Sequence, residues 1–301
     1  MNQNSLLSAL LICFATVITF AQSDSNSTTP KDSIWNFEGN FQFLINQAAF
    51  NSEWQGGGTS NYSANAVVNY DINYNKGKYT WDTKILGDYG INKTKNQEFN
   101  RKTNDRLEIN STVGRQIGKS KWYTSAFMNF RTQFAKGYEF GEDANGNETR
   151  TLQTEFMSPA FTQLGLGALW KHSDDIRVNI SPVTGRIITA NSKFTTTQGY
   201  VDGDFFGLDQ GSSIRTEFGA SVNAFVKFKL MENITVGNVL GLYSNYLEDP
   251  QNVDIDYTLN LVMSVNKYIS ANFTFQTIYD DNAVKGFQVR EVLGVGFNYD
   301  F

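Results

Sequence analysis

The chain has 301 residues, with 25 basic against 30 acidic side chains, a net charge of −5 and one cysteine. No basic patch stands out, so the electrostatic footprint of nucleic-acid binding is missing. A single thiol excludes a disulfide framework and a thiolate metal site, and nothing in the sequence asks for a cofactor.

Met1–Ala21 contains no charged side chain and carries an apolar run, Leu6 to Phe20, too short to span a bilayer comfortably. That pattern reads as a secretory signal peptide. Thr19 and Ala21 suit a signal peptidase and put the mature terminus at Gln22, although the usual Lys or Arg of the n-region is missing. Cys13 follows Ile12 inside the run and does not fit a lipoprotein cleavage site. Residues 22–33, rich in Ser, Thr, Asp and Asn, form a polar leader with too few apolar groups to offset the entropy of ordering. Residues 34–301 show no linker or composition break and read as one domain, a size suited to one closed barrel.

From Ile34 onward, apolar and polar residues alternate with period two, which means strands with two different faces. Trp35, Phe37, Gly39, Phe41, Phe43 and Ile45 share one face, and Asn36, Glu38, Asn40 and Gln42 the other. Next, Tyr62, Ala64, Ala66, Val68, Tyr70, Ile72 and Tyr74 oppose Asn61, Ser63, Asn65, Asn69, Asp71 and Asn73. The alternation continues through 79–91, 105–117, 122–135, 160–171, 176–189, 214–229, 234–246, 253–266, 269–280 and 286–301, predicting twelve strands. Tight turns are expected at Asn75–Lys78, Gly118–Lys121, His172–Asp175, Leu230–Asn233 and Asn266–Tyr268. Longer polar, Gly-rich loops fall at about 46–58, 92–104, 136–159 and 190–213. This is the asymmetry of periplasmic turns and extracellular loops.

A soluble β-sandwich also alternates, but its strands average about five or six residues. A tilted strand needs roughly 9–11 residues to cross hydrocarbon, where every backbone group must be paired and the sheet must therefore close. The expected fold is thus an all-β, antiparallel transmembrane outer-membrane β-barrel. Trp35, Tyr62, Tyr74, Tyr79, Trp81, Tyr89, Trp122, Trp170, Tyr246, Tyr257 and Tyr299 lie near strand ends on the apolar phase, as interfacial girdles require. The last strand, with Gly296, Tyr299 and a terminal Phe301, resembles the signal read by the barrel assembly machinery. Pro182 removes a ladder donor within 176–189, and the phase shifts at Gly185 and Arg186, so a bulge is expected there.

Several short blocks resemble an uncharacterised domain-of-unknown-function family of Bacteroidota outer-membrane proteins over about 34–281. They are Asn46-Gln47 with Trp54 and Gly56-Gly57, Asn104-Asp105-Arg106-Leu107, Lys121-Trp122-Tyr123, Ser181-Pro182-Val183-Thr184-Gly185-Arg186, Asn245-Tyr246 with Pro250-Gln251-Asn252, and Asn266-Lys267-Tyr268-Ile269 with Tyr279-Asp280-Asp281. The resemblance implies a barrel in the outer membrane and carries over no activity, substrate or catalytic residue.

The polar phase is expected to line the lumen with charges of both signs: Glu38, Asp82, Lys84, Asp88, Arg106, Glu108, Arg131, Arg177, Arg215, Glu217, Asp254, Asp256 and Arg290. Two readings follow, a narrow path for a small polar solute or a salt-bridged plug. Twelve strands lie between the filled eight-stranded barrel and the open porin. Glycines on the inward phase, such as Gly165, Gly167, Gly294 and Gly296, remove bulk or allow curvature. The one histidine, His172, sits in a predicted turn beside Ser173, Asp174 and Asp175, where a solvated role outweighs a triad, so catalysis is not expected. Two acidic loop clusters, Glu142, Asp143, Asn145, Asn147 and Glu148, and Asp202, Asp204 and Asp209, lack EF-hand spacing, and no metal site is assigned. The expected role is passive passage of small polar solutes. The alternative is a plugged interaction barrel presenting loops 136–159 and 190–213, and a barrel hydrolase ranks last. Expected partners are outer-membrane lipids, lipopolysaccharide and the assembly machinery, with the oligomeric state open.

Overall fold

The structure, a computed structural model, describes residues 34–50 and 59–301. The expected signal peptide and leader, and the stretch holding Trp54 and Gly56-Gly57, lie outside the described residues. The strands are β1 (Trp35–Ala48), β2 (Asn61–Lys76), β3 (Tyr79–Thr94), β4 (Arg101–Gln116), β5 (Trp122–Thr132), β6 (Gly137–Glu142), β7 (Glu148–Thr154), β8 (Ala160–Ser173), β9 (Ile176–Thr189), β10 (Ile214–Met231), β11 (Ile234–Asn245), β12 (Val253–Ser264), β13 (Ile269–Asp280) and β14 (Val284–Asp300). Twelve of them close a barrel in the order β1-β14-β13-β12-β11-β10-β9-β8-β5-β4-β3-β2, while β6 and β7 pair only with each other. The twelve barrel strands are those the alternation predicts.

The extra hairpin falls inside the expected 136–159 loop. Its signal is Asn145-Gly146, with Gly146 at φ +80° in the turn, a conformation that glycine adopts without strain. Asp143 braces that turn, accepting bonds from the backbone N–H of Asn145 and from the N–H and side-chain amide of Asn147. Led by the Asn147 side-chain bond, these donors hold its carboxyl below the usual range. The hairpin lies against the neighbouring loop: Glu148 pairs with Arg101 and accepts from the backbone of Glu98 and Phe99, and Arg150 covers the Phe99 ring at 4.4 Å. β8 also runs to Ser173, so the turn expected from His172 tightens to Asp174-Asp175.

The two faces separate as the period demands. Polar side chains of strands that are not neighbours bond to one another, for example Arg106 on β4 to Asp256 on β12, which is possible only through the interior. The other phase is apolar and faces out: Leu166 is 60% and Leu293 68% exposed. An apolar exterior of this extent, with the backbone paired within a closed sheet, is what a bilayer requires. Aromatic rings gather at the short-turn end, with Trp35 4.8 Å from Tyr74 and 5.8 Å from Trp81.

Two local features shape the interior. At Pro182 the register of β9 slips against both neighbours, between Leu166 and Ala168 on β8 and between Gly219 and Ser221 on β10. The bulge brings the Ile180 carbonyl to 1.9 Å from where a Cβ on Gly167 would stand, so only glycine fits there. It also inverts the phase of the strand: Asn179 and Ser181 are buried before it, and Thr184, Arg186 and Ile188 after it. Closure between β1 and β14 is short, five register pairs from Asn40↔Asp300 to Leu44↔Gly296, against fourteen between β1 and β2. Phe301 extends it, exchanging backbone bonds of 2.7 and 2.9 Å with Gly39.

Candidate functional site

The lumen is crossed by ion pairs at three heights, counted from the short turns. Lowest, the buried Lys171 of β8 reaches Asp82 of β3 at 2.8 Å and Thr80 at 3.1 Å. Lys84 pairs with Asp71 at 3.2 Å, and Lys84 and Arg177 lie over the Phe225 ring at 5.2 and 4.7 Å. At mid-height, Arg131 of β5 and Arg106 of β4 converge on Asp256 at 2.7 and 3.2 Å, while Gln276 donates to the other oxygen at 2.9 Å. Arg106 also grips Glu108 at 2.5 Å, and Asn110 and Asn129 complete that carboxylate at 2.9 and 2.8 Å. Arg290 stands 3.7 Å from Asp88.

The upper cluster turns on Arg186, which is only 3% exposed. It bonds Asp254, reaches Asp280 at 2.8 Å and Glu217 at 3.5 Å, and lies 5.0 Å from the Tyr243 ring and 5.6 Å from Phe161. Arg215 shares Glu217 at 2.8 Å and also holds Glu248 and the Gly207 carbonyl. Buried charge of this density persists because nearly every group has a counter-charge, Arg177 instead donating to the Asp174 carbonyl at 3.2 Å. Removing one partner costs far more than the pair contributes.

Twelve of the thirteen expected lumen residues therefore take part in these pairs and contacts. Glu38 stands apart, exposed near the turn end and bonded to Asn36 at 2.8 Å. Three central groups were missing from the sequence set: Lys171, Asp280 and Arg186. The first two were legible as polar-phase residues at strand ends. Arg186 is aimed inward by the Pro182 bulge, so the proline was its signal.

Along the lumen lies a cavity of about 200 Å³, bordered at mid-height and above by Arg106, Arg131, Arg186, Asp254, Asp256, Asn223 and Tyr243 and reaching down to Asp82 and Lys84. Toward the loop end, the 190–213 segment folds over the lumen. Leu208 is buried with the inward-facing Phe161 and Ile188, Phe206 meets Phe161 edge-on at 5.8 Å, and Phe194 stacks on Phe205 at 4.9 Å.

The remaining sequence candidates fall elsewhere. His172 is exposed at the turn end with Nδ1 2.5 Å from Lys121 Nζ. In the 190–213 loop, Asp202 and Asp204 accept backbone bonds from Gln210 and Val201. Asp254, Asp280 and Asp281 bring carboxylate oxygens within 4.8 Å, but Arg186 already bonds the first two and supplies the positive charge a cation would bring. Gly296, Tyr299 and Phe301 all lie on the β1–β14 closure, with Tyr299 and Phe301 stacked at 6.0 Å.

Among solved structures, the chain is similar to the translocator domain of autotransporter NalP from Neisseria meningitidis at 9% identity, covering 98% of each chain with a TM-score of 0.40. It is similar to an outer membrane channel from Pseudomonas putida F1 at 10% identity, covering 93% of this chain and 99% of that one with a TM-score of 0.38. The outer membrane channel DcaP of Acinetobacter baumannii matches at 10% identity, 89% and 97% coverage, and a TM-score of 0.31. Overlap this slight transfers no role, and the architecture rests on the strand ladders. No curated protein matches. Residues 45–138 match the family described as "Protein of unknown function (DUF3078)", a narrower span than the 34–281 over which the motifs run, so the chain resembles an uncharacterised family whose description supplies no activity.

Proposed function

We propose that the protein sits in a bacterial outer membrane and passes small polar solutes through a narrow, ion-paired lumen. The observation that carries this is the mid-lumen cavity of about 200 Å³, walled by charges of both signs inside a closed barrel with an apolar exterior. A plug needs no such space, and a hydrated, charge-balanced chamber lowers the barrier to a polar solute. Lipid and lipopolysaccharide would contact the apolar belt and the loops, and the assembly machinery would engage the final strand. No catalytic role is proposed. Planar-bilayer recording on refolded protein, after heat-modifiable migration has verified folding, tests the reading. Discrete conductance steps support it, and a folded but silent barrel refutes it.

A second reading draws on the 190–213 segment, whose packing on Phe161 and Ile188 covers the loop end. On that reading the barrel is closed and presents its loops to a partner. A folded barrel that is silent but conducts once this segment is removed would favour it.

A further inference from the structure

We propose that the mid-lumen cavity binds small zwitterions, molecules bearing a fixed cation and a carboxylate close together, in preference to lone ions or neutral solutes of the same size. This deepens the solute-path reading and rests on it. Two groups of strands each carry one sign of charge, while β3, β4 and β10 between them carry both. β5, β8 and β9 carry Arg131, Lys171, Arg177 and Arg186 and no carboxylate, whereas β11, β12 and β13 carry Asp254, Asp256 and Asp280 and no base. The pairs between these walls, Arg131 with Asp256 at 2.7 Å and Arg186 with Asp280 at 2.8 Å, lie across the lumen, so the field there runs from wall to wall.

Such pairs discriminate by what replaces them. A lone anion that takes Arg131 leaves Asp256 with one guanidinium fewer, and a lone cation does the reverse. Each loses compensation in a partly desolvated site. A zwitterion exchanges pair for pair, its carboxylate on the arginine and its cation on the aspartate, and no charge is stranded. A neutral solute meets the same pairs closed and gains nothing from the field.

A second observation points to a ligand. Tyr243 borders the cavity, is 4% exposed, and its hydroxyl has no hydrogen-bond partner among the described residues. The side-chain amide nitrogen of Asn223, on the same wall, also lacks one. Buried polar groups without partners are rare and costly, and a bound polar molecule satisfies them. The space suits one: about 200 Å³ corresponds to roughly six or seven waters at about 30 Å³ each.

Alanine and lactamide are isomers, one zwitterionic and one neutral, and serve as the probes. In proteoliposome swelling we expect alanine to enter several-fold faster than lactamide. Asp256→Asn should bring the ratio toward one, and Tyr243→Phe, which keeps every charge and the ring, should lower it about twofold. Equal entry of the two isomers into wild-type vesicles overturns the zwitterion preference while leaving the path intact. If neither isomer enters, the path reading fails, and calorimetric titration of the folded barrel in micelles decides the site alone. Heat with alanine, absent with lactamide and lost in Tyr243→Phe, supports it, and equal or no heat overturns it.

Discussion

Replacing Gly296 by alanine tests how the barrel closes. A Cβ at that position would stand 2.0 Å from the Phe43 carbonyl oxygen and 2.8 Å from the Leu44 Cα, both backbone atoms of β1. No rotamer relieves this, so β14 must retreat by about 1 Å, which takes neighbouring N–H···O bonds from about 2.9 Å to beyond hydrogen-bonding range. The closure has only five register pairs. Losing two or three of its bonds, at about 1–3 kcal/mol for each group left unpaired, costs roughly 3–6 kcal/mol, a large share of an ordinary folding free energy. Gly237→Ala is the control, because a Cβ there meets nothing within 4 Å. Urea unfolding in lipid vesicles, read by heat-modifiable migration, should show a sharply lower midpoint for Gly296→Ala and little change for Gly237→Ala. Equal midpoints for the two variants would refute the idea that glycine is required for close approach at this seam.

Arg186→Met removes the cation that Asp254, Asp280 and Glu217 share. Reversal potentials in a KCl gradient should shift toward cation selectivity, with a stability loss of about 3–5 kcal/mol as for other broken buried pairs; unchanged selectivity would argue against Arg186 as the positive pole. Deleting Pro182 should remove the extra residue of the bulge and restore plain alternation with Arg186 still facing the lumen, so the folded band on gels should persist, whereas its loss would show that the bulge is more than a one-residue insertion. Shortening the 190–213 loop by removing 197–210 takes away Phe205, Phe206 and Leu208, and single-channel conductance should rise. No rise would place the resistance at the ion pairs below.

The period-two pattern determined much of this protein by itself: twelve barrel strands, short turns at one end and longer loops at the other, an apolar exterior and a polar interior. Alternation has that power because a strand's two faces meet different surroundings, and its length measures what it must cross. The Asn145-Gly146 turn was equally readable and yields the β6–β7 hairpin within a stretch that composition alone marks as loop. Tertiary structure decided which charges meet. Arg106 and Asp256 are 150 residues apart in sequence, and Arg186 reaches Asp280 across the lumen. These contacts depend on strand number and stagger, which set what lies opposite what, and on a one-residue slip at Pro182 that reverses the faces beyond it. Local sequence encodes the faces of each strand, while the pairing of charges across an enclosed space is a property of closure.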